Sequence, residues 1–559
     1  MSRIMSDTNG LTLAPHYYHD NFQRMLQVVQ ARYDDILHAD ERRTIACFRS
    51  LPCNARCLYV RLVSRSGPWF RESKLHYPEI DDIGGALDSL LENGMASAAT
   101  TLDIDEAGKL FTRHELQQAF ADLAASGGNL RKPELLQAIA TQLTPPETLL
   151  ERLACVDAGR IIAPLHTALV AQLQLLFFGN RRQDLTEFVL DELGVTRYWP
   201  YRLDTTQRLF PHREALDEYL ACAELSDQHQ ACVESRDSAL LPELAARVLA
   251  GEPRGAAGRA RWQRLCNNLA RDLERSGELV LAASLYQRSQ RHPARERLAR
   301  ILERQGNWQA ASDLCRSILS EPWCETEQEA ARRILPRVER KLTRAVRGRG
   351  RDRFPRLDLT LPAGPHSVER QVAEHLAADW EIVRYVENSL MNALFGLAFW
   401  EEIFAPVDGV FHHPYQAGPS DMYDVSFRQR RAELVSARME VLRSSDMSAE
   451  LTAAYHRYTH YQCRWVDWRR VDAELVAAAA RCIPGAQLLA IFQRLLFDPR
   501  ENRSGFPDLV ALGNTEGAFC LIEVKGPGDT LQDSQKRWLR YFADHAIPAQ
   551  VAWVTWRDA

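Results

Sequence analysis

Three residues near the end of the 559-residue chain have types and a spacing that suit phosphodiester hydrolysis: Asp508, Glu523 and Lys525. Carboxylates are preferred ligands of Mg²⁺ and Mn²⁺, and a divalent cation between Asp508 and Glu523 could polarise a phosphodiester and lower the pKa of a bound water. Lys525 could orient that water or stabilise charge developing on phosphate. The alternative is a common, weak ion pair between Glu523 and Lys525 on a half-exposed strand.

A β-hairpin is the element that must position these residues. Residues 508–512 and 519–525 are apolar runs separated by the turn-forming sequence GNTEG, a pattern typical of a hairpin. Side chains alternate faces along a strand, so Glu523 and Lys525 share one face. The hairpin then brings Asp508 close to Glu523.

A helix is predicted directly after the hairpin. Apolar residues recur at helical spacing over residues 531–542, after a break at Gly526-Pro527-Gly528. Asp529 is in the position of a helix N-cap, and Gln535 lies one turn into the helix.

This stretch resembles the PD-(D/E)xK nucleases, and specifically their virus-type replication-repair (VRR-NUC) branch. The matching residues are Pro507-Asp508, Glu523-Val524-Lys525-Gly526-Pro527 and Gln535. The resemblance implies that Asp508, Glu523 and the backbone carbonyl of Val524 bind the metal. It also implies that Lys525 is catalytic and that Gln535 orients the site from the following helix.

A further acidic residue lies upstream, on a helix predicted over residues 366–404. Glu387 falls on an apolar stripe of that helix, together with Val383, Leu390, Met391 and Leu394. A carboxylate on such a stripe is costly unless it is paired or binds a metal. Arg384 could neutralise it. The resemblance instead makes Glu387 an additional metal ligand.

The composition is that of an ordinary globular protein of about three or four domains. The net charge of −5 means that contacts to nucleic acid must come from local basic patches. There is no signal-peptide pattern and no long apolar run, so an intracellular, nucleoid-associated protein without a membrane partner is expected. The twelve cysteines form no C-x-x-C pair, so reduced thiols and no structural zinc are expected.

The expected fold class is multidomain and mostly α, with a C-terminal α/β core like that of restriction endonucleases. A winged-helix-like region is predicted at the N-terminus, followed by a helical hairpin resembling the SAP motif. Paired helices of tetratricopeptide (TPR) type and a basic linker then precede the nuclease core. The predicted boundaries are 1–105, 106–145, 146–345, 346–364 and 365–559.

Basic residues in these upstream regions are candidates for contacts to DNA phosphates. A solvated basic face, or a plain linker at 346–364, is the competing interpretation. The candidates are Arg61, Lys74, Arg131, Lys132, Arg181, Arg182, Arg347, Arg349 and Arg351.

Further motifs are similar to the Fanconi-associated nuclease family. They include Glu387-Asn388-Ser389, Phe395-Gly396-Leu397, Trp400 and LYVRL at residues 58–62. The resemblance implies endonucleolytic cleavage of 5′ flaps on branched double-stranded DNA, 5′→3′ exonuclease action and a role in interstrand crosslink repair. The cysteine pattern leaves no ubiquitin-binding zinc finger, and no protein partner is implied. A Holliday-junction resolvase and a non-catalytic DNA-binding scaffold are the alternatives.

Overall fold

A computed structural model describes residues 14–65, 67–121, 130–142, 147–183, 197–343 and 352–557. The chain divides into two compact units, residues 1–195 and residues 196–559. Helices and strands are numbered below in chain order over the described residues.

The first unit is mostly helical and holds a small antiparallel sheet. Its helices are α1 (Tyr17–Tyr33), α2 (Ala39–Ser50), α3 (Cys53–Val63), α4 (Ile83–Glu92), α5 (Ile104–Leu110), α6 (Arg113–Ala119), α7 (Lys132–Gln142), α8 (Glu147–Ala154) and α9 (Thr167–Phe178), with 3₁₀ turns at Asp34–Ile36 and Glu72–Lys74. The strands β1 (Phe70–Arg71), β2 (Ala96–Ala98) and β3 (Ile161–Pro164) form a sheet in the order β1-β3-β2.

The first unit extends beyond residue 146, where the TPR-like region was predicted to begin. The central strand of its sheet, β3, lies beyond residue 154, in the segment that was predicted to begin the TPR-like region. Helices α8 and α9 likewise belong to the first unit. The paired helices therefore begin later than residue 146.

Paired helices open the second unit, as the repeat-like spacing predicted. They are α10 (Arg213–Ser235), α11 (Leu241–Ala250), α12 (Ala256–Ser276), α13 (Leu279–Arg288), α14 (Ala294–Arg304), α15 (Trp308–Ser320) and α16 (Glu325–Thr343), with a 3₁₀ turn at Ser238–Leu240. Gly277, in the turn between α12 and α13, and Gly306, in the turn between α14 and α15, have φ of +95° and +74°. Glycine suits these turns because a Cβ disfavours positive φ.

A five-stranded sheet organises the C-terminal part. Its strands are β4 (Arg356–Pro362), β5 (Ile382–Tyr385), β6 (Leu509–Leu512), β7 (Phe519–Lys525) and β8 (Ala549–Arg557), in the order β4-β8-β7-β6-β5. β8 pairs in parallel with β4 and β7, whereas β6 pairs antiparallel with β7 and β5. Because β4 lies within the predicted linker 346–364, the sheet starts earlier than residue 365.

The other elements of the C-terminal part are helices. They are α17 (Val368–Leu376), α18 (Leu390–Ala398), α19 (Trp400–Ile403), α20 (Ser426–Arg430), α21 (Ala432–Ser444), α22 (Met447–Tyr458), α23 (Ala473–Cys482), α24 (Gly485–Phe497), α25 (Pro499–Asn502) and α26 (Asp533–Asp544). Among the described residues, no single helix is long and apolar enough to cross a membrane, although α23 and α24 taken together, bent by 110° at their junction, reach that length and composition.

The long helix predicted over residues 366–404 is wrong. That segment forms α17, then β5, then α18 and α19. Ile382 and Val383 pair with Leu512 and Ala511 of β6, so sheet pairing overrides the helical periodicity of the apolar residues. Glu387 consequently lies in the loop between β5 and α18.

The two sheet faces have separate cores. On one face, Ile522 and Val524 of β7 pack with Val372 and Leu376 of α17. On the other, Leu521 joins the larger core formed with α18, α22, α24 and α26. Strand alternation therefore directs Glu523 and Lys525 away from α17 and towards the side of the larger core.

Candidate active site

The predicted hairpin forms and positions the acidic residues. β6 and β7 pair from Leu509 with Ile522 to Leu512 with Phe519, and the turn is closed by the amide of Gly513 donating to the carbonyl of Ala518 at 2.7 Å. Asp508 directly precedes the first of these pairs, so it lies beside Glu523. The prediction from the apolar pattern is confirmed.

Glu523 and Lys525 form an ion pair, but a buried one. Lys525 Nζ lies 2.8 Å from Glu523 Oε1, and the side chains are only 10% and 1% exposed. The alternative interpretation expected this pair on a half-exposed strand, where it would be weak. Burial of both charges is instead costly, which is typical of a functional site.

Asp508 is held against the same strand. Its Oδ2 accepts a hydrogen bond from the backbone N–H of Val524 at 2.8 Å, and its backbone carbonyl accepts one from Val386 N–H at 2.8 Å. Asp508 is 9% exposed. One carboxylate oxygen is thus fixed, and the residue connects strands β5, β6 and β7.

The electrostatics favour protons or a cation at this position. Burial raises the pKa of Asp508 to about 6, and the negative charges of Glu387 and of Glu369 on α17 act in the same direction. Burial also raises the pKa of Glu523 to about 8, and the charge of Asp508 raises it further. Lys525 lowers both values without cancelling the rise. The site therefore carries more acidic groups than its one lysine compensates.

Glu387 reaches the site from the loop after β5. Tyr385 Oη donates to Glu387 Oε2, and the Asn388 side-chain amide donates to Glu387 Oε1 at 3.3 Å. Arg384 lies 4.0 Å from Glu474, so the expectation that Arg384 might neutralise Glu387 finds no support in these contacts. Glu387 is near enough to Asp508 and Glu523 to raise the pKa of both.

The donor set suits a hard divalent cation. Glu523 Oε1 is fully buried and, apart from its ion-pair contact to Lys525, has no hydrogen bond of good geometry among the described residues. A bound cation would compensate this oxygen and the neighbouring Asp508 carboxylate. Within the described part of the chain, no group of three or more His, Cys, Asp or Glu side chains is arranged so that it could hold a metal ion. The buried donors are therefore the carboxylates of Asp508 and Glu523. Further oxygens would come from groups at the edge of the site, such as the Glu387 carboxylate.

The helix after the hairpin differs in detail from its prediction. α26 begins at Asp533 with Gln532 as N-cap, so the assignment of Asp529 as N-cap was wrong. Asp529 instead accepts from the Gly526 N–H at 2.9 Å and closes the turn after β7. Gln535 lies on the helix as predicted, but its Oε1 accepts from the Gln532 N–H at 2.8 Å. A role for Gln535 in orienting the site stays a prediction.

A basic cleft of about 440 Å³ adjoins Glu387. Sequence reasoning missed it, because its arginines come from two separate segments and form no local basic run. Asn388 and Tyr423 also line it. The exposed arginines that line the cleft are Arg464, Arg470, Arg500 and Arg503.

The candidate DNA contacts of the first unit differ in their availability. Arg61 Nε donates to Glu79 Oε1 at 2.9 Å, and its guanidinium lies 3.7 Å from the centroid of the Tyr18 ring. These contacts give Arg61 a structural role within the unit. Lys74, in contrast, is exposed at the end of a 3₁₀ turn.

The remaining basic candidates of the first unit differ in their exposure to solvent. Lys132 Nζ donates to the carbonyl of Phe111 at 2.6 Å, which holds it within the helical hairpin. Arg131, Arg181 and Arg182 are exposed. The linker candidates lie outside the described residues; they are Arg347, Arg349 and Arg351.

Comparison with known families matches three regions of the chain. Residues 16–97 match the family described as FAN1, HTH domain, residues 101–151 the Fanconi anemia-associated nuclease SAP domain, and residues 443–556 the VRR-NUC domain. The order of these domains agrees with the fold class predicted from the sequence.

Whole-chain similarities extend across these regions. The chain is 37% identical to the Fanconi-associated nuclease 1 homolog of Pseudomonas aeruginosa, over 97% of this chain and 96% of that one. It is 25% identical to the homolog of Arabidopsis thaliana, over 96% of this chain and 66% of that one. A crystal structure of paFAN1 bound to DNA with a 2-nucleotide 5′ flap and a gap superposes with a TM-score of 0.82 at 35% identity, covering 98% of this chain and 100% of that one. The chain therefore belongs to the Fanconi-associated nuclease family and is a DNA nuclease.

Proposed function

We propose that this nuclease cleaves 5′ flaps and related branched DNA near the junction, with 5′→3′ exonuclease action, in a reaction that depends on Mg²⁺ or Mn²⁺. The observation that carries the proposal is the buried group Asp508, Glu523 and Lys525, whose carboxylates have raised pKa values. The flap preference is supported by the paFAN1 structure, which holds a 5′-flap DNA. Interstrand crosslink repair is the cellular role that the family name suggests.

The chemistry can be assigned to individual residues. Asp508, Glu523, the Val524 carbonyl and Glu387 would hold the cation. A divalent cation supplies a Lewis acid that polarises the phosphodiester and lowers the pKa of water. Lys525, held beside Glu523, stabilises negative charge that develops on the phosphate.

DNA binding is a separate task, performed outside the catalytic group. The arginine cleft beside Glu387 provides positive charge at the entrance of the site and would contact the phosphodiester backbone. The helix-turn-helix and SAP regions would hold the duplex arms. This division between binding and chemistry distinguishes a nuclease from a scaffold, in which the acidic residues would be dispensable.

The test is cleavage of a 5′-flap duplex labelled at each end in turn, with Mg²⁺, with Mn²⁺ and with EDTA. A 3′ flap, a fork and a four-way junction serve as competing substrates. The wild type is compared with Lys525→Ala and with Lys536→Ala, a matched change at a lysine that lies 3.9 Å from Asp533 on α26.

Metal-dependent cuts near the 5′-flap junction, lost in Lys525→Ala and kept in Lys536→Ala, are expected. Symmetric cutting of the four-way junction alone would favour a resolvase instead. Tight DNA binding without cleavage of any substrate would favour the scaffold.

A further inference from the structure

One side-chain amide joins the two segments that deliver the acidic residues. Asn388 Oδ1 accepts a hydrogen bond from the backbone N–H of Phe506 at 3.2 Å, and Asn388 Nδ2 donates to Glu387 Oε1 at 3.3 Å. Phe506 precedes Asp508 by two positions in the sequence. The amide therefore bridges the Glu387 carboxylate and the backbone that leads into Asp508.

The chemistry of the two neighbours fixes the orientation of this amide. A backbone N–H can only donate, and an ionised carboxylate can only accept. The bridge therefore needs an acceptor and a donor on one short side chain, which asparagine provides. An aspartate at position 388 would keep the contact to Phe506 but would place a like charge beside Glu387.

The backbone conformation at position 388 also suits asparagine. Asn388 has φ of +51°, in the left-handed region that asparagine tolerates better than most residues. The side-chain amide of Asn392 donates to the backbone carbonyl of Asn388 at 2.7 Å and to that of Arg503 at 2.8 Å. The turn is thus tied to α18 and to the segment before Phe506 at once.

The Phe506 end of the bridge is rigid. The Phe506 ring stacks on Trp538 of α26 with centroids 4.1 Å apart, and both side chains are buried. Trp538 Nε1 in turn donates to the carbonyl of Asn502 at 3.2 Å. Asn388 therefore connects the loop that carries Glu387 to a fixed part of the core.

We infer that Asn388 is a positioning residue, which sets the distance and orientation of Glu387 relative to Asp508 so that both can serve one cation. The inference rests on the proposed metal-dependent function. Outer hydrogen-bond partners of metal ligands commonly change metal affinity or activity by about 10- to 100-fold. Loss of the bridge should therefore act mainly on the metal requirement.

The main test variant is Asn388→Gly, which removes the amide while accepting the positive φ. The Mn²⁺ concentration for half-maximal flap cleavage should rise roughly tenfold or more. Calorimetric titration of the DNA-free protein with Mn²⁺ should show a matching loss of affinity. Ser389→Ala is the matched control, because the Ser389 hydroxyl donates to the Val386 carbonyl and the substitution leaves the Glu387 contacts in place.

A second variant separates positioning from folding of the turn. Asn388→Asp keeps an acceptor for Phe506 N–H but cannot donate to Glu387. If the Mn²⁺ concentration for half-maximal cleavage differs several-fold from that of the wild type, the result supports the positioning role of Asn388. An unchanged concentration overturns that role. The inference also fails if Asn388→Gly lowers the melting temperature in EDTA and reduces cleavage equally at every Mn²⁺ concentration. A wild type that binds Mn²⁺ without cleaving DNA would refute the proposed function only, since the titrations still decide the role of Asn388.

Discussion

Asp508 and Val524 are joined by a hydrogen bond of 2.8 Å from the backbone N–H of Val524 to the Asp508 carboxylate. Val524 lies between Glu523 and Lys525, and its own side chain packs in the core against α17. The strand that carries the proposed catalytic residues Glu523 and Lys525 is therefore held on both of its faces. Asp508 has a structural duty in addition to its proposed duty as a metal ligand.

The two duties of Asp508 can be separated by comparing Asp508→Asn with Asp508→Ala. Both should abolish cleavage, since neither supplies a carboxylate. Asp508→Asn keeps an acceptor for Val524 N–H, whereas Asp508→Ala leaves that buried donor unsatisfied at a cost of about 1–3 kcal/mol. Chemical denaturation in EDTA should therefore show Asp508→Ala as the less stable of the two. DNA binding should be nearly wild type in both, and loss of binding in Asp508→Asn would contradict the division between binding and chemistry.

Stability without metal should fall as the pH rises. The pKa of Asp508 is raised to about 6 and that of Glu523 to about 8, above ordinary values of about 4. The folded protein therefore holds protons that the unfolded chain releases. This contribution is complete below pH 4 and is lost as the pH rises through 8. Melting curves in EDTA should show a lower melting temperature at pH 8 than at pH 5.

Metal should reverse this trend, because a cation binds the deprotonated carboxylates. Addition of Mn²⁺ should raise the melting temperature more at pH 8 than at pH 5. Glu523→Gln should reduce both the decline in EDTA and the stabilisation by Mn²⁺. Equal stabilisation by Mn²⁺ at the two pH values would place the cation elsewhere in the protein.

The arginine cleft should determine DNA affinity rather than chemistry. Arg503 and Arg470 are exposed and line the cleft beside Glu387. Replacing either by alanine should weaken binding to every DNA sequence. The logarithm of the binding constant should also fall less steeply with the logarithm of the salt concentration, by about 0.9 in slope. Binding should be measured at several salt concentrations in EDTA. Arg443→Ala, which removes an exposed arginine paired with Glu440 on α21, is the control, and an equal change of slope in that variant would remove the special role of the cleft.

Arg61 and Lys74 should respond differently to substitution, although both were predicted as DNA contacts. Arg61 pairs with Glu79, whose side chain is 8% exposed. Arg61→Ala therefore leaves a buried carboxylate without this partner. The expected loss is about 1–3 kcal/mol of stability. Lys74→Ala should leave the melting temperature unchanged and weaken duplex binding. Melting curves and binding isotherms of the two variants decide between these roles.

Local patterns predicted the centre of the site well. The alternation in 519–525 and the turn before it lie within one hairpin, so the sequence alone contains the information that places Glu523 beside Lys525 and Asp508. Glu387 was predicted to be a site residue from the family resemblance, and this role stays a prediction. Its backbone was predicted wrongly, because the pairing partner of β5 lies far along the chain in β6.

The basic surface could not be predicted from the sequence for the same physical reason. Arg464 and Arg470 precede α23, whereas Arg500 and Arg503 follow α24. Only the fold of the intervening helices brings these segments to one cleft. Asn388 was visible as part of a motif, but its bridging hydrogen bonds depend on the position of Phe506.

The contact between the paired helices and the nuclease core provides a final prediction. Glu325, at the start of α16, lies 3.0 Å from Arg494 of α24, and both side chains are at most 10% exposed. The Glu325 N–H also donates to Asp498 Oδ2 at 3.0 Å. Glu325→Ala leaves the buried Arg494 charge without this partner, and breaking a buried pair in this way costs about 3–5 kcal/mol.

Chemical denaturation measures that loss. The control is Glu339→Ala, because Glu339 pairs with Arg316 at a more exposed position on the same helix and should cost less than about 1 kcal/mol. Glu325 does not contact the acidic residues of the site, so the Mn²⁺ concentration for half-maximal cleavage should stay at the wild-type value in both variants. Equal destabilisation by the two substitutions would mean that the buried pair does not stabilise the junction of the helices and the core. A changed Mn²⁺ requirement in Glu325→Ala would instead mean that this junction acts on the site, through Asn502, whose side-chain amide donates to Glu325 Oε1 at 3.3 Å, and through Trp538.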